Sequence, residues 1–359
     1  MILSSPHQPY ASHAAYSTAG IARALSFVAA LLVCTALVAQ EDPAAATQPG
    51  IESEAQQARE QEIAREIARR EAALEELRYN AGVYSPQLQE AYHDLGAYYA
   101  EVGDYERARD TYSEALQIAR INTGLYSTQQ LPLIRAGIEA NLKLEAWPDA
   151  DDLHVLHQHI SSRIFVPEDE SFLSSAQLYG AWRLRVLREN LLDHSFRGLV
   201  LTAEELSDYY AEVILKIEAT DTASATDIMQ LLFSKIETDL VLVRAIATTP
   251  YTEFAGTVSP YIYQSRCRNV RDANGQVSQR CTNIQVQNPR YGQSQRDAKQ
   301  LAVSRQARSL TETSERLTLL RDGENELNEA QRQELTSRIA QLDVETQQLL
   351  RRARSRSLF

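Results

Sequence analysis

The chain has 359 residues, a formal net charge of −12 and 44% hydrophobic residues. It holds 13 glycines and 11 prolines, and this composition excludes a chain that is disordered throughout. A chain of this length can bury a substantial core and can hold two domains, and its many Leu, Ala, Glu, Gln and Arg residues favour α-helix.

An apolar run at residues 24–39 follows Arg23 and precedes acidic and small polar residues. The pattern predicts a secretory signal peptide over residues 1–40, because a membrane span needs about 20 residues. An uncleaved N-terminal anchor stays open. Lipidation at Cys34 is a further alternative, although Val33 is larger than the residue expected before an acylated cysteine. We expect an exported, periplasmic chain, which disfavours nucleic acid as a partner.

Two segments of different character follow the apolar run. Residues 41–50 are rich in Ala, Pro and Gln and are predicted to form a disordered tether. Residues 51–78 are strongly helical by composition, with few large apolar side chains before Leu74. We interpret this second segment as a solvated lead-in helix, with a partner-binding coil as the alternative.

The chain matches itself at an offset of 42 residues. This offset places Gly82 on Gly124 and Ala108 on Ala150. A fixed period of this size indicates stacked supersecondary units, and we predict repeats over residues 51–165.

The best-formed unit spans residues 89–120 and has large and small side chains at fixed places. They resemble the signature of a tetratricopeptide repeat (TPR) in order and spacing: Tyr92, Leu95, Gly96, Tyr99, Ala108, Tyr112 and Ala115. The long period is similar to that of kinesin-light-chain-type repeats. The resemblance implies an all-α, TPR-like helical solenoid whose concave groove binds a protein or peptide segment.

Later units carry less of this signature. In the second unit Gly137, Ile138 and Asn141 stand where the first has Leu95, Gly96 and Tyr99. A third unit is suggested by Gly180, two periods after Gly96. The predicted partner-binding residues therefore belong to the first inner helix, on the side that faces the groove: Glu90, His93, Asp94, Ala97 and Glu101.

Three histidines fall within six residues on the second helix of the second unit: His154, His157 and His159. Residues three apart share a helix face and imidazole is a good metal ligand, so a metal site is one hypothesis. The alternative is a set of semi-buried histidines with backbone or carboxylate partners. A pH-sensitive site is a corollary of both.

Further helices are predicted over residues 166–250, as degenerate repeats or as a helical cap. The sequence Thr202-Ala203-Glu204-Glu205 is a capping box, and it predicts that a helix opens there. Another helix is expected from about Ser224 to Thr248.

Residues 251–297 change character and predict a basic β-hairpin. Asn274-Gly275 is a strong hairpin-turn signal between two runs of β-forming residues. Cys267 and Cys281 lie almost equidistant from that turn, so a disulfide is expected to clip the two arms together.

Positive charge is concentrated over residues 261–311. The segment contains nine cations and only two anions, Asp272 and Asp297; the cations are Arg266, Arg268, Arg271, Arg280, Arg290, Arg296, Lys299, Arg305 and Arg308. This asymmetry favours an anionic partner, such as a membrane surface or an acidic protein. The alternative is a solvated hairpin that balances the acidic repeats.

The tail, residues 298–359, is helical with heptad spacing. Val303, Leu310 and Leu317 lie seven residues apart, and Asp322-Gly323 marks the end of a helix. We predict an antiparallel helical hairpin, with a coiled coil that dimerises as the alternative.

The sequence has no Gly-rich phosphate loop, no nucleophile elbow and no HExxH pair. We therefore predict no enzyme and no cofactor. The leading hypothesis is an exported TPR-like scaffold that binds a protein or peptide in cell-envelope assembly or maintenance. One alternative is a structural envelope component that docks on an anionic membrane surface, or self-associates, through its basic C-terminal region. Another is metal or pH sensing by the histidine cluster.

Overall fold

The computed structural model describes residues 49–220, 224–323 and 327–355. Within these ranges the chain forms ten α-helices, one short 3-10 helix and two β-strands. In chain order they are α1 (Pro49–Ala81), α2 (Pro86–Glu101), α3 (Tyr105–Thr123), α4 (Gln130–Lys143), α5 (Trp147–Ile164), α6 (Glu170–Glu189), α7 (Phe196–Glu218), α8 (Ala225–Thr248), the 3-10 helix (Tyr251–Glu253), β1 (Tyr261–Arg271), β2 (Val277–Gln287), α9 (Tyr291–Asp322) and α10 (Glu329–Ser355).

The chain divides into two units, Met1–Ala58 and Arg59–Phe359. Only the start of α1 represents the first unit among the described residues, and the packing reported below belongs to the second. The predicted signal peptide and Cys34 lie outside the described residues, as does most of the predicted tether. No helix in the described part of the chain is long and apolar enough to cross a membrane.

The first helix pair is α2 and α3, and its ends follow from local sequence. Ser85 caps α2, because its Oγ accepts a hydrogen bond from the Leu88 N–H at 3.2 Å. Asp104 caps α3 in the same way through the Arg107 N–H. Between the two helices Gly103 has a φ of +84°, a conformation that favours glycine. Gly103 and the Asp104 cap therefore set the tight turn between the two helices.

The second pair, α4 and α5, has a similar turn made from different residues. Glu145 occupies the tight turn with a φ of +55°, a left-handed conformation that is uncommon for a residue with a Cβ. The N-cap position of α5 is Ala146, which has no side chain to cap the helix. Pro148 in the first turn of α5 partly compensates, since proline favours the start of a helix.

Helices α6 to α8 continue the helical arrangement. The capping-box prediction at Thr202 is wrong: α7 begins at Phe196, and Ser195 is its N-cap through a hydrogen bond from the Gly198 N–H. Thr202 is buried inside the helix. Helix α8 is capped by Ser224 and ends at Thr248, as predicted.

Apolar side chains form one large core and smaller clusters in the repeat region. The large core unites buried residues of α6 to α10, among them Leu184, Ile214, Leu242, Leu310 and Leu335. Helices α1 to α4 share a second cluster and α3 to α5 a third. The predicted further helices and the predicted tail therefore bury their apolar faces together.

The predicted hairpin is confirmed. β1 and β2 pair antiparallel with Cys267 directly opposite Cys281, and the two cysteines form a disulfide. In the turn, Asp272 Oδ1 accepts hydrogen bonds from the N–H groups of Asn274 and Gln276 at 3.0 and 2.8 Å. Most residues of both strands are exposed, so the hairpin is a surface element.

The helical hairpin of the tail is also confirmed. Val303, Leu310 and Leu317 are buried on α9, and Gly323 ends the helix. These three side chains pack in the same core as Leu335 and Ile339 of α10. The heptad side chains of α9 therefore pack against other helices of the same chain.

Candidate protein-binding face of the helical repeat

The five predicted partner-binding residues share one stripe of α2. Their spacing of three, four or seven residues places them on one side of a helix. The structure leaves Glu90, Asp94, Ala97 and Glu101 exposed and His93 half-buried. We call these five residues the α2 stripe. It carries three carboxylates, and whether it binds a partner stays a prediction.

Beside the stripe, α2 packs against α3 through a close contact between a small and a large residue, and the large one, Tyr112, also lies near His93, with ring centroids 5.9 Å apart. Gly96 lies against Tyr112 of α3, and a Cβ at Gly96 would be 2.8 Å from Tyr112 Cε1. Helix α4 repeats the arrangement: a Cβ at Gly137 would be 3.2 Å from Leu153 Cδ1 on α5. Helix α6 repeats it again, with Gly180 against Tyr210 of α7. Glycine brings the helix backbones together in all three pairs.

Helix α1 packs against α2 through Tyr98 and Tyr99, which lie outside the α2 stripe. The Tyr99 hydroxyl donates a hydrogen bond to Glu71 Oε1 of α1 at 2.6 Å. Burial, together with the Glu71 carboxylate, raises the pKa of Tyr99 to about 12. The Arg70 guanidinium lies over the Tyr98 ring, 4.6 Å from its centroid. The predicted lead-in helix is therefore packed against the repeat along part of its length.

Helix α4 lies beside α2 and contributes its own exposed residues. Ala136 and Ala140 of α4 pack in the same cluster as Leu95 and Tyr99 of α2. Arg135, Glu139 and Lys143 of α4 are exposed at helical spacing. The α2 stripe is acidic, whereas the exposed side of α4 carries both signs of charge.

The histidine cluster separates into three different environments. His154 is 4% exposed and stacks on the Trp182 ring, with centroids 4.7 Å apart. His157 is 1% exposed, and its Nε2 accepts a hydrogen bond from Arg135 Nε at 3.1 Å. His159 is exposed beside Tyr126. The first two histidines thus contact an indole and a guanidinium, and not the backbone or carboxylate partners that the sequence suggested.

Their surroundings favour the neutral form of both buried rings. Burial lowers the pKa of His154 to about 4, and the neighbouring His157 acts in the same direction. Burial and the Arg135 charge lower the pKa of His157 to about 4. The Asp151 carboxylate acts in the opposite direction and raises the pKa of His154. Its oxygens accept hydrogen bonds from Trp182 Nε1 at 2.7 Å and from Arg183.

The structure does not group these histidines as metal ligands. Over residues 49–220, 224–323 and 327–355, no three His, Cys, Asp or Glu side chains lie together so that they could hold a metal ion. The two buried rings are core residues in positions that the repeat pattern assigns to packing.

Sequence reasoning missed a cavity of about 390 Å³ between α3, α4 and α5. Residues of all three helices line it, including Leu116, Leu133, Ile134, Gly137, Asn141 and Leu153, with Asp110, Asp149 and Asp152 also present. Asn141 is 2% exposed and its Oδ1 has no hydrogen-bond partner in the structure. A sequence signal for this cavity was available: Gly137 and Asn141 of α4 stand where α2 has the larger Leu95 and Tyr99.

A buried ionic network between α8 and α9 also escaped prediction. Lys235 Nζ lies 2.9 Å from Asp239 Oδ2, and Ser309 Oγ donates to the same oxygen at 2.7 Å. Asp239 is fully buried. Lys235 Nζ also donates to Ser309 Oγ at 2.8 Å, whereas Asp239 Oδ1 has no hydrogen-bond partner among the described residues. The arrangement therefore links two helices.

The helix pairs and their close contacts define a TPR-like helical repeat, a class of fold that typically serves as a protein-binding scaffold. Comparisons with protein-family models and with curated proteins gave no match. Among solved structures, the chain is similar to the nearly identical TPR-like repeats of a kinesin light chain from Podospora anserina. The identity is 14%, over 52% of this chain and 78% of the other, with a TM-score of 0.35.

Proposed function

We propose that this chain is an exported, non-catalytic scaffold that binds a protein or peptide segment through the α2 stripe, in the assembly or maintenance of the cell envelope. The observation that carries the proposal is the position of the stripe. Four of its residues are exposed and His93 is half-buried, while Leu95 and Tyr99 on the opposite side of the same helix are buried in the core. A surface that is already ordered loses little conformational entropy when it binds.

The negative charge of the α2 stripe suggests the chemistry of the partner. Glu90, Asp94 and Glu101 have no cation within ion-pair distance in the described part of the chain, although Asp94 lies beside His93. A partner segment that carries Lys or Arg would complement them. The cavity between α3, α4 and α5 supports the same class of partner, since its lining includes Leu116, Leu133 and Ile134 together with Asp149 and Asp152, while its third acid, Asp110, is paired with Arg109 at 2.9 Å.

A repeat period of 42 residues is part of the proposal. Positive φ values recur at this distance, at Gly82 and Gly124 and again at Gly103 and Glu145. Ala108 and Ala150, also 42 residues apart, are both fully buried. The glycines in close contact with the next helix recur less regularly, 41 and 43 residues apart, because Gly137 lies one position earlier in its repeat than Gly96 does.

Export is supported by the apolar run at residues 24–39 and by the disulfide. The Cys267–Cys281 bond lies in an exposed hairpin, and exposed structural disulfides persist in oxidising compartments. N-terminal sequencing of the protein isolated from its natural host tests this step. We expect the mature chain to begin near Gln40, and an intact N-terminus in the cytoplasmic fraction would contradict export.

Charge reversal tests the binding face. One variant carries Lys at Glu90, Asp94 and Glu101, and a charge-matched control carries Lys at three exposed acids outside the stripe and the cavity, namely Glu76 of α1 and Glu106 and Glu114 of α3. Cross-linking in the natural host is followed by mass spectrometry of the captured proteins. We expect one partner to be captured by the wild type and by the control, and lost from the α2 variant. Equal capture by all three proteins would contradict the proposal.

A further inference from the structure

Three arginines lie on one face of the β-hairpin. The strand register places Arg268 directly opposite Arg280, and Arg266 directly opposite Thr282. Side chains alternate between the two faces of a strand, so Arg266, Arg268 and Arg280 share the face that is opposite to the Cys267–Cys281 disulfide. All three are exposed. We call them the arginine face.

Nothing in the described part of the chain neutralises this face. Like charges directly opposite each other destabilise a strand pair, and Arg268 and Arg280 stand in that relation. The ion pairs between described residues include none of the three arginines. The nearest acid in sequence, Asp272, uses its Oδ1 to accept hydrogen bonds in the turn. The repulsion would be relieved by an external anion.

Among residues 49–220, 224–323 and 327–355, no strand pairs with either outer edge of the hairpin. β1 and β2 form a two-stranded sheet, so each strand pairs on one side only. An isolated two-stranded hairpin is marginally stable, and here a disulfide and an Asn-Gly turn fix it in place. An edge with free N–H and C=O groups can accept an extended segment as a third strand.

The distribution of the arginines distinguishes the two edges. β1 carries Arg266 and Arg268, two residues apart, whereas β2 carries only Arg280 on that face. A strand added beside β1 would present every second side chain on the arginine face. Acidic residues at alternate positions of that strand would meet Arg266 and Arg268 in turn, and charge-assisted pairs of this kind are strong and directional.

Other occupants fit less well. The hairpin tip, from Arg271 to Val277, is mostly polar and contains Asp272, whereas insertion into a membrane needs apolar or aromatic residues at the point of contact. A second copy paired edge to edge would bring more arginines to a face that already lacks anions.

We propose that the free edge of β1 binds an extended acidic segment of a partner protein by strand addition, with acidic residues at alternate positions held by Arg266 and Arg268. This site is separate from the α2 stripe and does not rest on its function. The disulfide orders the edge before binding, so the cost of ordering falls mainly on the partner segment.

Binding of synthetic peptides to the full-length, disulfide-intact protein tests the proposal. The probe is a fluorescent peptide of about ten residues with Glu at alternate positions and Thr or Val between them, a length that matches the strand. Its control has the same composition with the Glu residues in one block. Fluorescence anisotropy should give a Kd at least about tenfold lower for the alternating peptide.

Matched variants locate the site. Replacing Arg266 and Arg268 by Glu should weaken binding of the alternating peptide at least about tenfold. The control variant replaces Arg271, on the opposite face of the hairpin, and Arg308, on α9, by Glu. It should bind the alternating peptide like the wild type. Milder Gln substitutions at Arg266 and Arg268 guard against loss of the hairpin, and a non-reducing gel verifies the disulfide. Amide hydrogen exchange in β1 should slow when the peptide binds.

Several outcomes would overturn the proposal. Equal affinity for the alternating peptide and for the control with its Glu residues in one block would show charge attraction without strand addition. Amide hydrogen exchange in β1 that does not slow on binding would show the same. Binding that survives the Glu and Gln substitutions would place the site elsewhere. Vesicles of phosphatidylcholine and phosphatidylglycerol at about 3:1 form the second arm. Retention of the protein on these vesicles, without peptide binding, would identify a membrane surface as the ligand.

Discussion

Gly96 of α2 lies against the ring of Tyr112 on α3, so closely that a Cβ at Gly96 would be 2.8 Å from Tyr112 Cε1. We expect Gly96→Ala to destabilise the protein by about 1–3 kcal/mol, because the buried ring must shift. Helix propensity alone would predict a gain of about 1 kcal/mol. Gly292→Ala on α9 is the control, since it meets nothing within 4 Å. Urea unfolding measures both, and equal gains would contradict the close contact.

The buried histidines predict a loss of stability at acidic pH. Burial lowers the pKa of His154 and His157 to about 4 in the folded protein, whereas an unfolded histidine has a pKa of about 6.5. Between these values the unfolded chain binds more protons, so the free energy of unfolding falls as the pH drops through that window. By the time the pH reaches about 4, each ring has lowered the free energy of unfolding by on the order of 3 kcal/mol.

Substitutions separate this effect from general acid unfolding. His154→Phe keeps a ring against Trp182, and His157→Gln offers Arg135 an acceptor that does not titrate. Urea unfolding of the double variant, measured between about pH 7 and pH 4.5, should show a shallower pH dependence than the wild type. Val155→Thr, at an exposed position of the same helix, removes no titrating group and should leave the pH profile unchanged. A double variant with the wild-type profile would show that the rings are not the titrating groups.

Local signals in the sequence predicted much of the fold, because they act over a few residues. Asn274-Gly275 with its flanking cysteines predicted the hairpin and its disulfide, and the signature around Gly96 predicted the first helix pair. The start of α7 was missed because Ser195 and Thr202 both carry capping signals. Burial of Thr202 in the core decided between them, and burial is a tertiary property that spacing alone does not reveal.

Features that depend on contacts between distant elements were not predictable. The sequence separates Lys235 from Ser309 by 74 residues, and no short pattern marks their contact. The partners of His154 and His157, Trp182 and Arg135, lie on α6 and α4, so the nearby aspartates gave the wrong expectation. The exposed residues of the α2 stripe, in contrast, follow directly from helical spacing.

The buried ion pair between Lys235 and Asp239 should be costly to break. Asp239→Asn leaves the Lys235 charge without its partner in the core, and we expect a loss of about 3–5 kcal/mol in the free energy of unfolding. Replacing the whole network with Met at Lys235, Leu at Asp239 and Ala at Ser309 should cost much less, since no polar group is then left unsatisfied. Chemical denaturation compares the variants, and a loss below about 1 kcal/mol for Asp239→Asn would contradict this account.

The disulfide should stabilise the hairpin and leave the helices unaffected. It joins residues 14 positions apart, for which the chain-entropy model gives about 3 kcal/mol. The strands are exposed along most of their length, so the helical core does not depend on them. In a Cys267→Ser and Cys281→Ser variant we expect rapid amide exchange over residues 261–287, because a two-stranded hairpin is marginal without a clip. The ellipticity at 222 nm and the unfolding midpoint of the helices should match the wild type, and a fall in either would show that the hairpin supports the helical core.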